Sequence, residues 1–219
     1  MITYKEIKEN NEIRTYIEMA DKSLGALGFT EHSFAHVTRS AEVAGKILND
    51  MGFGERTIEL GKIAGFMHDI GNVVNRVDHA QSGAIMAFRI LDKMNMDAGE
   101  IAQVISAIGN HDENTAFPVN ELAAALILAD KSDVRRSRVR NKNSTNFDIH
   151  DRVNYAVTKS ELITDLENKT FILNLEIDET ISHISEYFEI FLNRMLLCRR
   201  AAGYFNMSFE LNMNGARVM

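Results

Sequence analysis

Cysteine occurs once, as Cys198, and proline once, as Pro118, in 219 residues. A single thiol excludes an internal disulfide and a thiolate-rich zinc site. A single proline leaves long stretches open to helix, since proline removes a backbone donor and breaks helix interiors. Long apolar runs are missing too: none nears the roughly 18 residues that a bilayer span needs. The opening MITYKEIKENNEIRTY is too polar for a secretory signal. The expectation is a cytoplasmic protein with no membrane partner. There is no excess of positive charge. The net charge of −7 argues against binding extended nucleic acid, while a local basic patch can still attract phosphate. Low-complexity tracts and internal repeats are absent. What remains, with 45% hydrophobic and 25% charged residues, is the balance of a folded domain carrying a small appendage.

Apolar residues recur at a helical period through most of the first 140 or so positions. Residues 1–27 read as helix on Ile7, Ile13, Ile17 and Leu24, and further helices are expected over about 36–51, 57–70, 79–94, 97–111 and 120–133. The pattern changes near Asn141. Phe171, Leu173, Leu175 and Ile177 alternate as in a strand, with Leu162 and Leu166 before them and LENKT as the turn. Positions from Ile181 to Met195 mark an amphipathic helix, and Phe209, Leu211 and Met213 a last strand. The expected fold is mainly α: an all-helical bundle over residues 1–145, then a small α+β appendage, β-β-α-β, over 155–219.

Polar residues fall on the apolar faces of these helices. His36 is in line with Ser40, Val43 and Ile47; His68 follows Leu60 and Ala64; His79 precedes Gly83, Met86 and Ile90. His111 continues Ile101, Val104 and Ile108, and Asp130 follows Leu122 and Leu126. Offsets of three, four, seven and eight return to one side of a helix. A single inward histidine is ordinarily a hydrogen-bonded core residue. Five helices each turning a nitrogen or carboxylate inward, with Asp69 beside His68, form a different pattern. With no inward lysine or arginine expected among them, bound cations are the economical counter-charge. Imidazole and carboxylate without thiolate suit Mn²⁺, Fe²⁺, Co²⁺, Ni²⁺ or Zn²⁺, and the six ligands exceed the four of a tetrahedral zinc. They fit two divalent metal ions, with Asp69 as the natural bridge.

Taken in order, His36, the doublet His68-Asp69 and Asp130 in ILADKSD resemble the H…HD…D signature of the HD-domain metal-dependent phosphohydrolases. HAQSGA at His79 and AIGNHDE at His111 look like the two further histidines of that superfamily's binuclear branch. The branch includes HD-type diadenosine tetraphosphate hydrolases and, more distantly, the HD-GYP cyclic-dinucleotide phosphodiesterases. The resemblance covers residues 30–140 or so and implies an all-helical HD-domain bundle. It implies one ion held by His36, His68, Asp69 and Asp130, and a second held by Asp69, His79 and His111. The chain departs from HD-GYP members at Asn72, where they have lysine, and at NHDENTAFP, which lacks their paired histidines and Gly-Tyr-Pro motif. Cyclic di-GMP hydrolysis and a third metal are therefore not expected. The implied reaction is hydrolysis of a phosphate ester or anhydride, expected of a nucleotide, through attack by a hydroxide bridging the ions. Two alternatives share the ligand set: a mixed-valent di-iron oxygenase, and a regulatory module that keeps its metals without turnover.

Charge near these motifs adds substrate contacts. Arg39 shares the face of His36, Lys131 and Arg135 flank Asp130, and the run RRSRVRNK puts five cations into eight residues. Guanidinium groups bind phosphate oxygens bidentately. Arg39, Lys131 and Arg135 are thus expected to bind a small phosphorylated substrate, and Asp69, Lys131 and Arg39 to take part in catalysis. The competing reading of the run is a solvated helix end. His32, four residues before His36 and able to face the site, reads as a loop bystander; Asp112 and Glu113 read as solvent-facing loop acids, one of which could orient His111; His150, His183 and Cys198 read as ordinary residues. An exposed appendage is compatible with a homodimer.

Overall fold

The structure, a computed structural model, describes residues 1–113, 115–141 and 147–219. Thr3 opens α1 (Tyr4–Glu9) with a capping box, its side chain accepting from the Glu6 amide while Glu6 accepts from the Thr3 amide. Asn10 ends that helix in an extended conformation and caps α2 (Asn11–Ala26), accepting from the amides of Glu12 and Ile13. The single helix expected over 1–27 is therefore two. Asn10 satisfies orphan amides of the second helix with its own side chain instead of continuing the first.

The bundle continues with α3 (Phe34–Asp50), α4 (Glu55–Met67), α5 (His79–Lys93), α6 (Ala98–Gly109) and α7 (Glu121–Lys131). Ser33, Asp97 and Asn120 cap α3, α6 and α7. A 3-10 turn, Ile70–Val73, follows α4. Two glycines govern how tightly these pieces approach. A Cβ at Gly65 would stand 2.6 Å from the Ala41 Cα, so α3 and α4 touch backbone to backbone. A Cβ at Gly71 would collide with the His79 carbonyl and the Gly83 amide, so the first turn of α5 rests directly on the 3-10 turn.

Before the expected strands comes a further helix, α8 (Ile149–Ala156), which runs straight into β1 (Val157–Asp165). β2 (Thr170–Ile177), α9 (Ile184–Tyr204), β3 (Ser208–Met213) and β4 (Ala216–Arg217) complete it. The sheet order is β1-β2-β3-β4, with β1 and β4 antiparallel to their neighbours and β2 parallel to β3. A parallel pair needs a crossover, and α9 supplies it. Phe171, Leu173, Leu175 and Ile177 are all buried, as are Phe209, Leu211 and Met213. The expected β-β-α-β thus gains a helix before it and a two-residue strand after it. α8 carries little periodic signal because its sequence, IHDRVNYA, spans only eight residues, half of them polar.

Two hydrophobic clusters meet at α7. Leu122 and Leu126 belong to a cluster with α1, α2, α4, α5 and α6; Ala125 and Leu128 belong to one with α3, the sheet and α9. A helix covered on all sides must be apolar all round, and Leu122 through Ala129 are fully buried. Asp130 rides at the end of that helix, already inside the protein. Among the described residues no helix is long and apolar enough to cross a membrane.

Candidate metal centre

His36 lies in the first turn of α3 and Asp130 in the last turn of α7, on helix faces as expected. The others sit at helix ends. His68 and Asp69 follow the last residue of α4, His79 is the first residue of α5, and His111 comes two residues after α6. The last carbonyls of a helix have no intrahelical donor, and these rings supply one. His68 Nδ1 lies 2.8 Å from the Gly65 carbonyl and His111 Nδ1 2.6 Å from that of Ile108. His79 Nδ1 meets the Arg76 carbonyl at 3.0 Å, and His36 Nδ1 the Asp133 carboxylate at 2.8 Å. An oxygen without a hydrogen can only accept, so each Nδ1 carries a proton, which leaves Nε2 as the atom that takes a metal ion or a second proton. All four Nε2 atoms point to one place.

That place is Asp69. Its Oδ2 is 3.5 Å from His36 Nε2 and 3.3 Å from His68 Nε2; its Oδ1 is 3.5 Å from His79 Nε2 and 3.9 Å from His111 Nε2. Asp130 Oδ1 joins the first pair, 3.2 Å from His36 and 3.7 Å from His68. Asn72 donates to Asp69 Oδ1 at 2.8 Å and fixes the carboxylate plane. The Nε2 atoms of His36 and His68 are buried with no hydrogen-bond partner, which a native interior rarely tolerates. His79 and His111 bring their Nε2 atoms within 3.1 Å of each other, where two lone pairs repel. Atoms bound to one ion at ~2.0–2.2 Å sit ~3.0–3.5 Å apart, so these separations match the edges of a coordination shell. Two overlapping triads, sharing His68, are close enough for either to hold an ion: His36, His68 and Asp130, and His68, Asp69 and His111. The donor set fits a divalent metal.

Electrostatics point the same way. Burial opposes charge on His68, yet Asp69 and Asp130 outweigh it and push the ring up to about 10. Burial also opposes the charges of Asp69 and Asp130. His68 and His36 nevertheless hold Asp69 well below the usual carboxylate range, and Lys131 with the same histidines does so for Asp130. Burial keeps His79 and His111 below the usual imidazole range, helped by Arg76 at the first and by His68 at the second. One side of Asp69 demands a cation; the other offers neutral rings.

A cavity of about 300 Å³ opens onto Asp69, His79, His111 and Asp130. Contrary to expectation, cations face inward: Lys131, Arg138 and Arg194 all line it. Lys131 Nζ is pinned 2.8 Å from Asp130 Oδ2 and 2.7 Å from Glu113 Oε2. Glu113 is thus no solvent-facing acid; Lys131 and Arg194 hold its carboxyl far below the usual range against its burial. His32 and His150 line the cavity too. Arg39 and Arg135 are not brought into its wall. Arg39 reaches Asp133 and the Ser160 carbonyl, and Arg135 binds Asp133 and Glu31. Arg136 and Arg140 likewise tie down backbone carbonyls, those of Tyr155 and Phe29. The basic run is mostly a clamp; its last residue, Lys142, lies outside the described residues. Asp133, the orienting partner of His36, was missed, although its place three residues after Asp130 puts it one turn on. His183 caps α9, and Cys198 is buried, its thiol pushed up to about 12.

The ends of the bundle's helices thus bring the H…HD…D residues to one place. Residues 33–135 match the HD domain family, a span that contains all six candidate ligands, His36, His68, Asp69, His79, His111 and Asp130. It is 25% identical over 159 residues to the uncharacterized protein MJ1020 of Methanocaldococcus jannaschii, a stretch covering 63% of this chain and 61% of that protein. The chain therefore spans less than two thirds of that relative's length. Among solved structures it is similar to a predicted HD superfamily hydrolase from an uncultured Thermotogales bacterium. That likeness is 29% identical with a TM-score of 0.46, covering 57% of this chain and 67% of the other.

Proposed function

We propose that the protein is a phosphohydrolase that uses two divalent metal ions to cleave an ester or anhydride bond of a small phosphorylated substrate, with nucleotides as the substrate class. One observation carries the reading: the two oxygens of Asp69 face different histidine pairs, His36 with His68 and His79 with His111. The arrangement supports a shared carboxylate between two ions, drawn from Mn, Fe, Co, Ni and Zn by the donor set. When bound, such ions supply Lewis acidity and a water acidic enough to attack phosphorus. The chain's own residues do the rest. Asp69, locked by Asn72, holds the centre. Lys131, pinned between two carboxylates, sets a fixed positive charge on the cavity wall where phosphoryl oxygens gain negative charge. Phe29 and Phe191 line the same cavity and offer apolar surface to a base or sugar. Cations beside aromatic walls are what a nucleotide requires.

The test is a screen of the Mn²⁺-loaded protein against phosphomonoesters, phosphodiesters and nucleoside polyphosphates. Phosphate or a nucleoside monophosphate is released from at least one of them, and Asp69→Ala loses bound metal and turnover together. Full turnover by Asp69→Ala would remove the reading. Iron-dependent oxygen uptake with no phosphate release would replace it with oxygenase chemistry.

A further inference from the structure

The cavity wall is completed from outside the HD domain. Arg194 is on α9, beyond the matched residues 33–135, and its side chain is 23% exposed. Two contacts fix its position. Its guanidinium carbon lies 4.5 Å over the Phe191 ring, one turn back on the same helix, and its Nε donates to Glu113 Oε1 at 2.9 Å. Glu113 in turn holds Lys131, and Lys131 holds Asp130. Charges therefore alternate in an unbroken file from Asp130 at the ligand cluster through Lys131 and Glu113 to Arg194.

A guanidinium has two edges that can each make a pair of parallel hydrogen bonds. Arg194 turns its Nε to Glu113, and among the described residues Glu113 is the acceptor it meets. The edge formed by the two terminal nitrogens makes no hydrogen bond to another described residue, and Arg194 lines the cavity. A carboxylate on one side and an aromatic face below fix the fork before any ligand arrives, so little side-chain entropy is lost on binding. We infer that Arg194 is a substrate-binding residue, its terminal nitrogens gripping phosphate oxygens, and that Glu113 is the positioning residue that aims it. The inference rests on the phosphohydrolase reading for its substrate, but it places recognition of the phosphate partly in the C-terminal α9. It also explains why the strand and helix segment after residue 149 packs on α3 and α7 rather than standing apart.

The experiment is calorimetric titration of the Mn²⁺-loaded full chain with inorganic phosphate, repeated on Arg194→Gln, Arg194→Lys and Arg199→Gln, with metal content and circular dichroism recorded for each. Arg199 is exposed on the same helix, so its substitution removes the same charge away from the cavity. Arg194→Gln weakens phosphate binding on the order of 10–100-fold, the range for a lost charged hydrogen bond. Arg194→Lys recovers part of it, because a point charge replaces a fork, and Arg199→Gln binds as the wild type does. On any hydrolysed substrate the Arg194→Gln defect falls mainly on KM. Equal phosphate binding by a folded, metal-replete Arg194→Gln overturns the inference. So does an equal loss in Arg199→Gln, or a wild type that binds no phosphate. If Arg194→Gln loses phosphate binding while no substrate is turned over by any variant, the phosphohydrolase reading fails and the anion site stands.

Discussion

Each imidazole in the cluster is tied by its Nδ1 to an oxygen: three to backbone carbonyls and one to a side chain. The side-chain case is the most open to experiment, because Asp133 can be changed without touching a ligand. Asp133→Asn keeps an oxygen near His36 Nδ1 but removes the charge that makes the ring a better donor to a cation. Metal affinity should fall by about 10–100-fold, read by competition with a chromophoric chelator. Stability should fall by ~1–3 kcal/mol, because Arg39 and Arg135 lose a charged partner. Unchanged affinity would show that Asp133 only braces its arginines. The ligand candidates were legible in the sequence because helical offsets alone put His36 and Asp130 on buried faces. The partners were not. That Glu113 meets Lys131, or that Arg39 turns to Ser160, depends on which segments lie side by side, and no local pattern encodes that.

Among the elements, the junction of α4, the 3-10 turn and α5 matters most. The expected helix over 57–70 stops at Met67, which lets His68 and Asp69 leave the spiral and aim at the centre. Gly71 then allows the start of α5, and with it His79, to close onto Asp69. Gly71→Ala forces these backbones apart. Overpacking of this kind costs ~1–3 kcal/mol, so the melting temperature drops, and under the proposed two-ion centre metal binding at His79 and His111 weakens more than at His36 and His68. Mn²⁺ titration followed by calorimetry reads both effects. A variant with wild-type melting and two unchanged binding steps would remove the junction from the account. Helix existence was readable from apolar period; the break at Asn10 and the presence of α8 were not, since caps and helices of barely two turns carry little periodic signal.

Across the whole molecule, the charge buried around one centre makes stability depend on pH in a definite way. In metal-free protein, Asp69, Asp130, Asp133 and Glu113 sit below their ordinary values of 3.8 and 4.5. Depressed carboxylates contribute stability above those values and lose it as pH falls through the folded ones. His68 runs the other way: raised from 6.5 to about 10, it contributes below 6.5 and loses that contribution as pH climbs toward 10. The metal-free melting temperature should therefore peak near neutral pH, fall steeply in acid below about 4 and fall again on the alkaline side. Metal loading should remove the alkaline decline, because the ion replaces the proton on His68. An alkaline decline that persists with metal bound would mean the proton on His68 was never displaced. The fold class was plain from composition and period, and so was the convergence of distant histidines. The reach of α9 into the cavity was not, since nothing in its own sequence names the neighbour it packs on.

The most direct measurement is anomalous diffraction from crystals of the protein loaded with Mn²⁺. Two anomalous peaks, ~3.5–4 Å apart, should lie on opposite sides of the Asp69 carboxylate, one beside His36, His68 and Asp130 and the other beside His79 and His111. A single peak that leaves His79 and His111 unliganded, or none within the cluster at saturating Mn²⁺, would contradict the two-ion centre.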